Sequence, residues 1–190
     1  MPQIRTTYKK LNIRSRLMSK NQHFSKYPMA YHITFSCYGK VMHGREKYSR
    51  YRTGVAHSEY QAGNKPGIAS HEESLMTQPA YKMDESRRKI VLKAIIEVCE
   101  YRKWRLFAVH VRSNHVHVVV QAATDPSNIL RDFKAYSSRH LNLAGFENNH
   151  RKRWARHGST MYKWTFEEVK NAVDYVLHKQ GEPMEFYNGT

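Results

Sequence analysis

Apolar and polar positions alternate most clearly in residues 104–121, where two β-branched runs flank the segment Arg112-Ser113-Asn114. Ser-Asn is common turn chemistry, so this pattern predicts a β-hairpin. Side chains on a strand point alternately to its two faces. The second run therefore directs one set of residues to one face (Val116, Val118, Val120) and another set to the opposite face (His115, His117, Val119, Gln121).

The remaining strands and helices are read from the same kind of pattern. Tyr31–Tyr38 alternates and predicts the first strand, and Met161–Trp164 predicts a short later strand. Asp84 can cap a helix that runs to about Tyr101, and Asp125-Pro126 opens a second helix. Their apolar stripes are Val91, Ala94, Ile95, Val98 and Cys99 in the first, and Leu130, Phe133, Ser137 and Leu141 in the second.

The last helix begins at a capping box made by Thr165 and Glu168, and Gly181 and Pro183 end it. One buried stripe is predicted along it, formed by Val169, Ala172, Val173, Val176 and Leu177. Tyr175 lies roughly 130° from the centre of that stripe, at 100° per residue. The helix therefore does not need this aromatic side chain for its own packing.

The order strand, helix, hairpin, helix, strand, helix predicts an α+β, ferredoxin-like fold, an antiparallel sheet with helices packed on one face. We expect a basic N-terminal arm at 1–28, a folded domain at 29–183 and a C-terminal tail at 184–190. Residues 39–82 form a long insertion without strong periodicity, in which a small hairpin or short helix could form.

Composition adds a strong positive charge to this fold. The 190 residues carry a formal net charge of +16 with a pI near 9.9, and the first acidic residue is Glu46. Such a balance favours a polyanionic partner, nucleic acid first and an anionic membrane surface second. No apolar run reaches the ~18 residues that a membrane span needs. The N-terminus has no signal-peptide core, so we expect a cytoplasmic protein without a membrane partner.

Other motifs narrow the chemistry. Cys37 and Cys99 form no CxxC pair and fit a reducing compartment, and no GxxxxGK or GxGxxG motif is present. The arm at 1–28 and the basic cluster at 150–157 can grip phosphates, and Trp154 either stacks a base or packs in the core. The candidate nucleic-acid contacts are Arg112, Lys134, Arg139, Arg151, Lys152, Arg153, Trp154 and Lys179.

His115 and His117 are the candidate metal ligands. They are neighbours on one strand face, and two imidazoles so placed can share one metal ion. The alternative to a metal site is that the two histidines are solvent-exposed polar residues on an edge strand. A metal site becomes a specific prediction only with a third ligand and a nucleophile from elsewhere in the chain.

Several segments together resemble the HUH-type single-tyrosine transposases, which include those of small insertion sequences and the REP-associated tyrosine transposases. The resemblance covers roughly residues 30–183. It is carried by His115-Val116-His117, Lys134-Ala135-Tyr136-Ser-Ser-Arg139, Gly158-Ser159, Ala172-Val-Asp-Tyr175-Val and Gln180-Gly181.

The resemblance implies that 29–183 is a catalytic domain that nicks single-stranded, hairpin-bearing DNA and transfers the strand through a phosphotyrosine intermediate, in DNA transposition. It implies Tyr175 as the nucleophile, His115 and His117 as metal ligands, and Mg²⁺ or Mn²⁺ as the metal; Zn²⁺ is less favoured, although it also suits imidazole. The family contains monomers and dimers, so a homodimer is a possible state.

Two residues are candidates for the third metal ligand, and two are candidates for the nucleophile. Relatives often carry Gln or Asn four residues after the tyrosine, where this chain has Lys179. The resemblance favours Gln180, five residues on, whereas helical geometry favours His178, about 60° away. Tyr136 is the rival nucleophile, because it shares a helix face with His140 at i+4.

Two other functions stay open on the sequence. The chain could be a non-catalytic binding protein for structured single-stranded DNA or RNA, since similar sheets recognise RNA by stacking bases on aromatic residues. It could also be a metal-dependent hydrolase that uses water, in which case no protein–DNA adduct would form.

Overall fold

The computed structural model describes residues 26–39, 49–52, 59–62, 71, 74–148 and 150–189. In chain order its elements are β1 (Ala30–Cys37), β2 (Ser49–Arg52), β3 (Glu59–Ala62), α1 (Glu85–Arg102), β4 (Arg105–Val111), β5 (His115–Gln121), α2 (Pro126–Leu143), β6 (Trp154–Lys163), α3 (Phe166–His178) and β7 (Glu185–Asn188). In the described part of the chain, no helix has the length and apolarity that crossing a bilayer requires.

The main sheet has five strands in the order β6-β1-β5-β4-β7, and every neighbouring pair is antiparallel. The first four positions reproduce the ferredoxin-like order, so the predicted α+β class is confirmed. β1 and β5 are central strands, which places the predicted histidine pair in the middle of the sheet rather than at an edge.

The helices cover both faces of this sheet. α1 and α2 pack on the face that carries Ile33, Phe35 and Val118. α3 packs on the opposite face, where Val173 and Val176 meet a small cluster that includes Val119. The expectation that all helices lie on one face was therefore wrong. α3 has a narrow apolar stripe, and the histidine-bearing face offers it a matching apolar strip of Ala30, Ala108 and Val119.

The predicted helix starts are confirmed by their caps. The Asp84 carboxylate accepts a hydrogen bond from the backbone N–H of Arg87 at the start of α1. The Asp125 side chain does the same for Ser127 at the start of α2, with Pro126 as the first helical residue. At α3, Thr165 and Glu168 form the complete capping box. Each cap satisfies backbone donors that have no partner within the helix.

Two segment boundaries differ from expectation. β6 runs over Trp154–Lys163, so it takes in half of the basic cluster at 150–157 as well as most of the short strand predicted at Met161–Trp164. The expected tail at 184–190 contains β7, which pairs with β4. In the insertion at 39–82, β2 and β3 form a hairpin, which is one of the two alternatives that the sequence left open. Most of the predicted arm, residues 1–25, lies outside the described residues.

Candidate active site

His115 and His117 stand next to each other on the face of the sheet that α3 partly covers. Their ring centroids are 4.9 Å apart and the rings are nearly perpendicular. His117 is 7% exposed, while His115 is partly buried. The Nδ1 atom of His115 is 2.7 Å from the amide Oδ1 of Asn114. Because an amide oxygen only accepts, Nδ1 of His115 carries the proton and Nε2 keeps its lone pair.

The antiparallel register places polar residues of β1 beside these histidines. Thr34 lies opposite His117, and Ser36 lies opposite His115. The Nδ1 atom of His117 is 2.9 Å from Oγ1 of Thr34 and 3.3 Å from Nε2 of His32. Burial, with a smaller contribution from the Lys163 cation, lowers the pKa of His32 to about 4. His32 is therefore neutral at pH 7 and can accept a hydrogen bond from His117.

Neither His32 nor Thr34 was singled out from the sequence, although a signal was present. Within β1 the residues His32, Thr34 and Ser36 alternate with the core residues Tyr31, Ile33 and Phe35. The alternation indicates a polar face, but only the pairing of β1 with β5 shows that this face adjoins the histidines.

A fourth histidine, His110, lies on β4 directly opposite His117. It is 1% exposed, and burial is the main cause that lowers its pKa. Nδ1 of His110 donates to the carbonyl of Val176 at 2.9 Å, and its Nε2 accepts from the backbone N–H of Met184 at 3.2 Å. Nδ1 thus joins the sheet to the last turn of α3, next to Tyr175, and Nε2 joins it to the segment that leads into β7.

Tyr175 projects from α3 toward the two histidine strands. Its ring centroid is 6.0 Å from that of His117 and 5.8 Å from that of His32, and the residue is 44% exposed. These side chains border an open cleft of about 420 Å³, here called the α3 cleft. Its lining comprises His32, Thr34, His117, Met161, Lys163, Glu168, Asn171, Ala172 and Tyr175. The phenol ring therefore borders a solvent-open space beside His117.

The residues after Tyr175 end the helix. Gln180 donates from Nε2 to the carbonyl of Tyr175 at 3.3 Å, while Lys179 pairs with Asp174 at 2.9 Å. His178 is exposed on the last turn. Across the residues that the structure describes, no group of three or more His, Cys, Asp or Glu side chains gathers to hold a metal. The donor set present is the imidazole pair, so Gln180 and His178 as third ligands stay predictions.

Tyr136, the rival nucleophile, lies on the other side of the sheet. It packs against the core under α1 and α2, with its ring centroid 6.5 Å from that of Tyr101. His140, its predicted partner, forms an ion pair with Glu97 on α1 at 3.1 Å. The sheet thus separates this tyrosine from His115 and His117.

Of the predicted nucleic-acid contacts, Arg153 is buried and Trp154 is partly buried against the core. Arg153 is 3% exposed and binds Glu147 at 3.2 Å and Asn142 at 2.6 Å. Trp154 packs edge-on against Phe35 and donates to the carbonyl of Lys134. Arg153 is therefore turned inward against Glu147 rather than toward solvent, and Trp154 takes the core-packing alternative.

The other predicted contacts differ in how freely they can move. Lys134 is partly buried, with its Nζ bound to the carbonyls of Ala155, Arg156 and His157. Arg112 donates to the carbonyl of Glu182. Arg151 and Lys152 bind the segment at 77–79. Arg139 is exposed, with its guanidinium over the ring of Tyr136. Their roles toward DNA stay predictions.

Arg153 should matter for stability rather than for binding. Replacing it by Ala leaves Glu147 partly buried with Arg87 as its remaining ion-pair partner, which should lower the free energy of unfolding by about 3 kcal/mol. For a chain of this size the Tm should fall by roughly 6–12 °C, measurable by thermal denaturation followed by circular dichroism. The exposed Arg139→Ala is the matched control and should change little. A Tm that falls equally in both variants would refute the structural role of Arg153.

Comparison with known proteins identifies a family. The sequence model of the family described as "Transposase IS200 like" matches residues 77–176, just over half of the chain. A solved REP-associated tyrosine transposase bound to a REP hairpin is 14% identical with a TM-score of 0.46, covering 85% of this chain and 72% of that one. A crystal structure of a candidate transposase from Deinococcus radiodurans R1 is 11% identical with a TM-score of 0.43, covering 86% and 98%. No curated protein sequence matches the chain.

Proposed function

Because the chain belongs to the IS200-like transposase family, whose members cleave and move DNA, we propose that Tyr175 is the nucleophile of a metal-assisted cleavage and strand transfer on single-stranded DNA. His115 and His117 are proposed as the metal ligands. The hairpin-bearing form of the substrate is carried over from the family resemblance.

The single observation that carries the proposal is the position of the Tyr175 ring, 6.0 Å from that of His117 in an open cleft. A nucleophile must reach the scissile phosphate at the same place where the charge on that phosphate is offset. Tyr175 meets this requirement beside the imidazole pair. Tyr136 does not, because it packs on the opposite face of the sheet.

The bond changes balance without an external energy source. The phenol oxygen of Tyr175 attacks phosphorus as the bond from phosphorus to the 3′ oxygen breaks. The phenol loses its proton to solvent, and the departing 3′ oxygen takes one up. The products are a 5′-phosphotyrosine and a free 3′-hydroxyl. A 3′-hydroxyl can later attack the phosphotyrosine, so that rejoining needs no ATP.

His115 and His117 fit a divalent metal as part of a coordination sphere, because their imidazoles are neighbours with ring centroids 4.9 Å apart, and the hydrogen bond from His115 Nδ1 to Asn114 fixes Nε2 as the basic nitrogen of that ring. When bound, a divalent cation supplies positive charge beside the phosphate oxygens. Mg²⁺ or Mn²⁺ is expected from the family.

Other residues of the chain hold this arrangement in place. Thr34 and neutral His32 meet Nδ1 of His117, and a proton donated from Nδ1 keeps the lone pair on Nε2. His110 ties the carbonyl of Val176 to β4 and so positions the turn that carries Tyr175. Lys163 lines the same cleft and can contact a phosphate by charge alone.

A covalent-adduct assay tests the proposal. The protein is incubated with single-stranded hairpin DNA and Mg²⁺, Mn²⁺ or a chelator, and the products are separated on a denaturing gel. With metal, a label placed 3′ to the nick should migrate with the protein and return to a small fragment after protease digestion. With chelator, no adduct should form. Cleavage without an adduct would favour a water-using hydrolase, and binding without cleavage would favour a non-catalytic module.

A further inference from the structure

A second opening lies on the other side of β6 from the α3 cleft. Between α2 and β6 the surface encloses about 720 Å³, here called the α2–β6 groove. Its lining comprises Asp125, Pro126, Ser127, Leu130, Arg131, Lys134, Ala135, Ser138, Trp154, Arg156, His157, Gly158, Thr160 and Tyr162. The floor is tight at Gly158, where an added Cβ would lie 2.8 Å from the carbonyl oxygen of Thr34 and 3.0 Å from Leu130.

Cations dominate the walls of this groove. The Arg131 side chain is 70% exposed, and its Nε lies 3.7 Å from Asp132, a carboxylate that Arg102 binds more closely at 2.9 Å. Arg156 and His157 are exposed on β6. Beneath them the Lys134 ammonium is held by three backbone carbonyls. The groove is therefore lined by positive charge, from the Lys134 ammonium that the backbone holds in place and from the exposed guanidinium groups of Arg131 and Arg156.

The carboxylate in the groove does not cancel this charge. Asp125 lies at the N-terminal end of α2, where its side chain accepts from the backbone N–H of Ser127. Hydrogen bonds from the side chain and the backbone N–H of Ser127 lower the pKa of Asp125. Its negative charge is thus offset by the helix end, where unpaired backbone N–H groups carry a partial positive charge.

Two exposed aromatic rings form a stack at this surface: Tyr162 lines the groove, and Trp164 stacks on Tyr162. Tyr162 is 48% exposed and Trp164 is 54% exposed, and their rings are stacked with centroids 6.2 Å apart and planes 12° from parallel. Tyr31 meets the Tyr162 ring edge-on at 5.3 Å, which restrains its orientation. Exposed aromatic surface beside cations is the composition of single-strand binding sites, where bases stack and phosphates are held by charge.

The groove and the α3 cleft are separated by the width of one strand. Along β6, Thr160 and Tyr162 line the groove, whereas Met161 and Lys163 line the α3 cleft. β6 is the outer strand of the main sheet next to β1. A nucleic-acid strand can therefore pass over this edge and occupy both openings.

We propose that the α2–β6 groove binds the single-stranded DNA that adjoins the scissile phosphate, with its bases stacked on Tyr162 and Trp164 and its phosphates on Arg131 and Arg156. This assignment rests on the proposed function, because it places the bound strand next to Tyr175. The same edge could instead receive a second copy of the chain through strand pairing, which the test below separates.

The binding test uses the Tyr175→Phe protein, so that no cleavage intervenes, with a thymidine oligonucleotide and an abasic oligonucleotide of the same length. Trp164→Ala should weaken binding of the thymidine strand by roughly tenfold to a hundredfold, the range of one stacked base. Its affinity for the abasic strand should stay unchanged. Trp164→Phe should restore most of the affinity, and Tyr101→Ala, an exposed aromatic on α1, should bind both strands normally.

A second variant tests the role of charge and carries Gln in place of both Arg131 and Arg156. The slope of log affinity against log salt should become shallower by about 0.7 for each phosphate that the variant no longer neutralises. Equal affinity of Trp164→Ala and the parent for the thymidine strand would overturn the proposal. The proposal would also be overturned if Trp164→Ala changed the sedimentation of the free protein without changing its DNA binding. That result would mean that the β6 edge serves self-association.

Adduct formation, measured separately in the Tyr175-containing protein, distinguishes the two proposals. A protein that forms the adduct while Trp164→Ala binds normally would leave the cleavage mechanism standing and remove the groove assignment. A protein that forms no adduct while Trp164→Ala loses base-dependent affinity would remove the mechanism, and the groove would remain a binding surface.

Discussion

Replacing Tyr175 by Phe should abolish both DNA cleavage and the covalent protein–DNA band, a loss of roughly 10⁴-fold or more, as expected when the attacking atom of a covalent mechanism is removed. The change deletes one oxygen from a ring that is 44% exposed and packs against His32 and His117. Folding and DNA affinity should therefore be retained, and thermal denaturation and a binding titration on the same preparation measure both.

Tyr136→Phe is the matched control, because it removes the same atom from a tyrosine on the opposite face of the sheet. It should cleave DNA and form the adduct at the parent rate. The reversed result, with activity lost in Tyr136→Phe and kept in Tyr175→Phe, would mean that α3 does not carry the nucleophile.

His117→Ala should reduce adduct formation about a thousandfold, since the loss of one imidazole removes half of the paired donor set and several kcal/mol of charge stabilisation. Binding of Mn²⁺ to the free protein, followed by electron paramagnetic resonance, should weaken in parallel. DNA affinity should change little because phosphate contacts supply most of it.

His140→Ala serves as the control for His117→Ala, because His140 pairs with Glu97 on the far side of the sheet. It should leave both Mn²⁺ binding and adduct formation unchanged. If His117→Ala formed the adduct normally in the presence of chelator, the assignment of a metal to the histidine pair would be refuted.

Much of the fold follows from local patterns in the sequence, because caps and apolar stripes are short-range features. Which faces of the sheet are covered by helices follows less directly from the sequence. Val118, Val119 and Val120 are consecutive apolar residues, and such a run is typical of a strand buried on both faces. Val119 shares the histidine face, so an element had to cover part of that face, and α3 does.

The ends of strands were less predictable. β6 extends through a stretch rich in Arg, His and Gly, which carries no alternating apolar signal because the strand lies at the sheet edge. β7 has only four residues and depends on its pairing with β4. Only the C-terminal part of β6 was predicted, from Met161; its N-terminal part and the whole of β7 have no local pattern strong enough to predict them.

Some residues of the candidate site could be predicted from the sequence and others could not. His115, His117 and Tyr175 could be named from a strand alternation, a helical stripe and a family resemblance. His32, Thr34 and His110 could not, because each reaches the site through cross-strand register. Arg153 was misassigned because a cluster of basic residues does not indicate which of them turns inward against a carboxylate such as Glu147.

The central claim, that Tyr175 forms the covalent bond to DNA, is tested most directly by mapping the adduct. Trypsin should release Tyr175 in the peptide of residues 171–179 and Tyr136 in the peptide of residues 135–139, and each peptide contains a single tyrosine. After nuclease trimming, mass spectrometry should find the nucleotide on the first peptide, at Tyr175. A nucleotide on the second peptide, or on any other residue, would contradict the account.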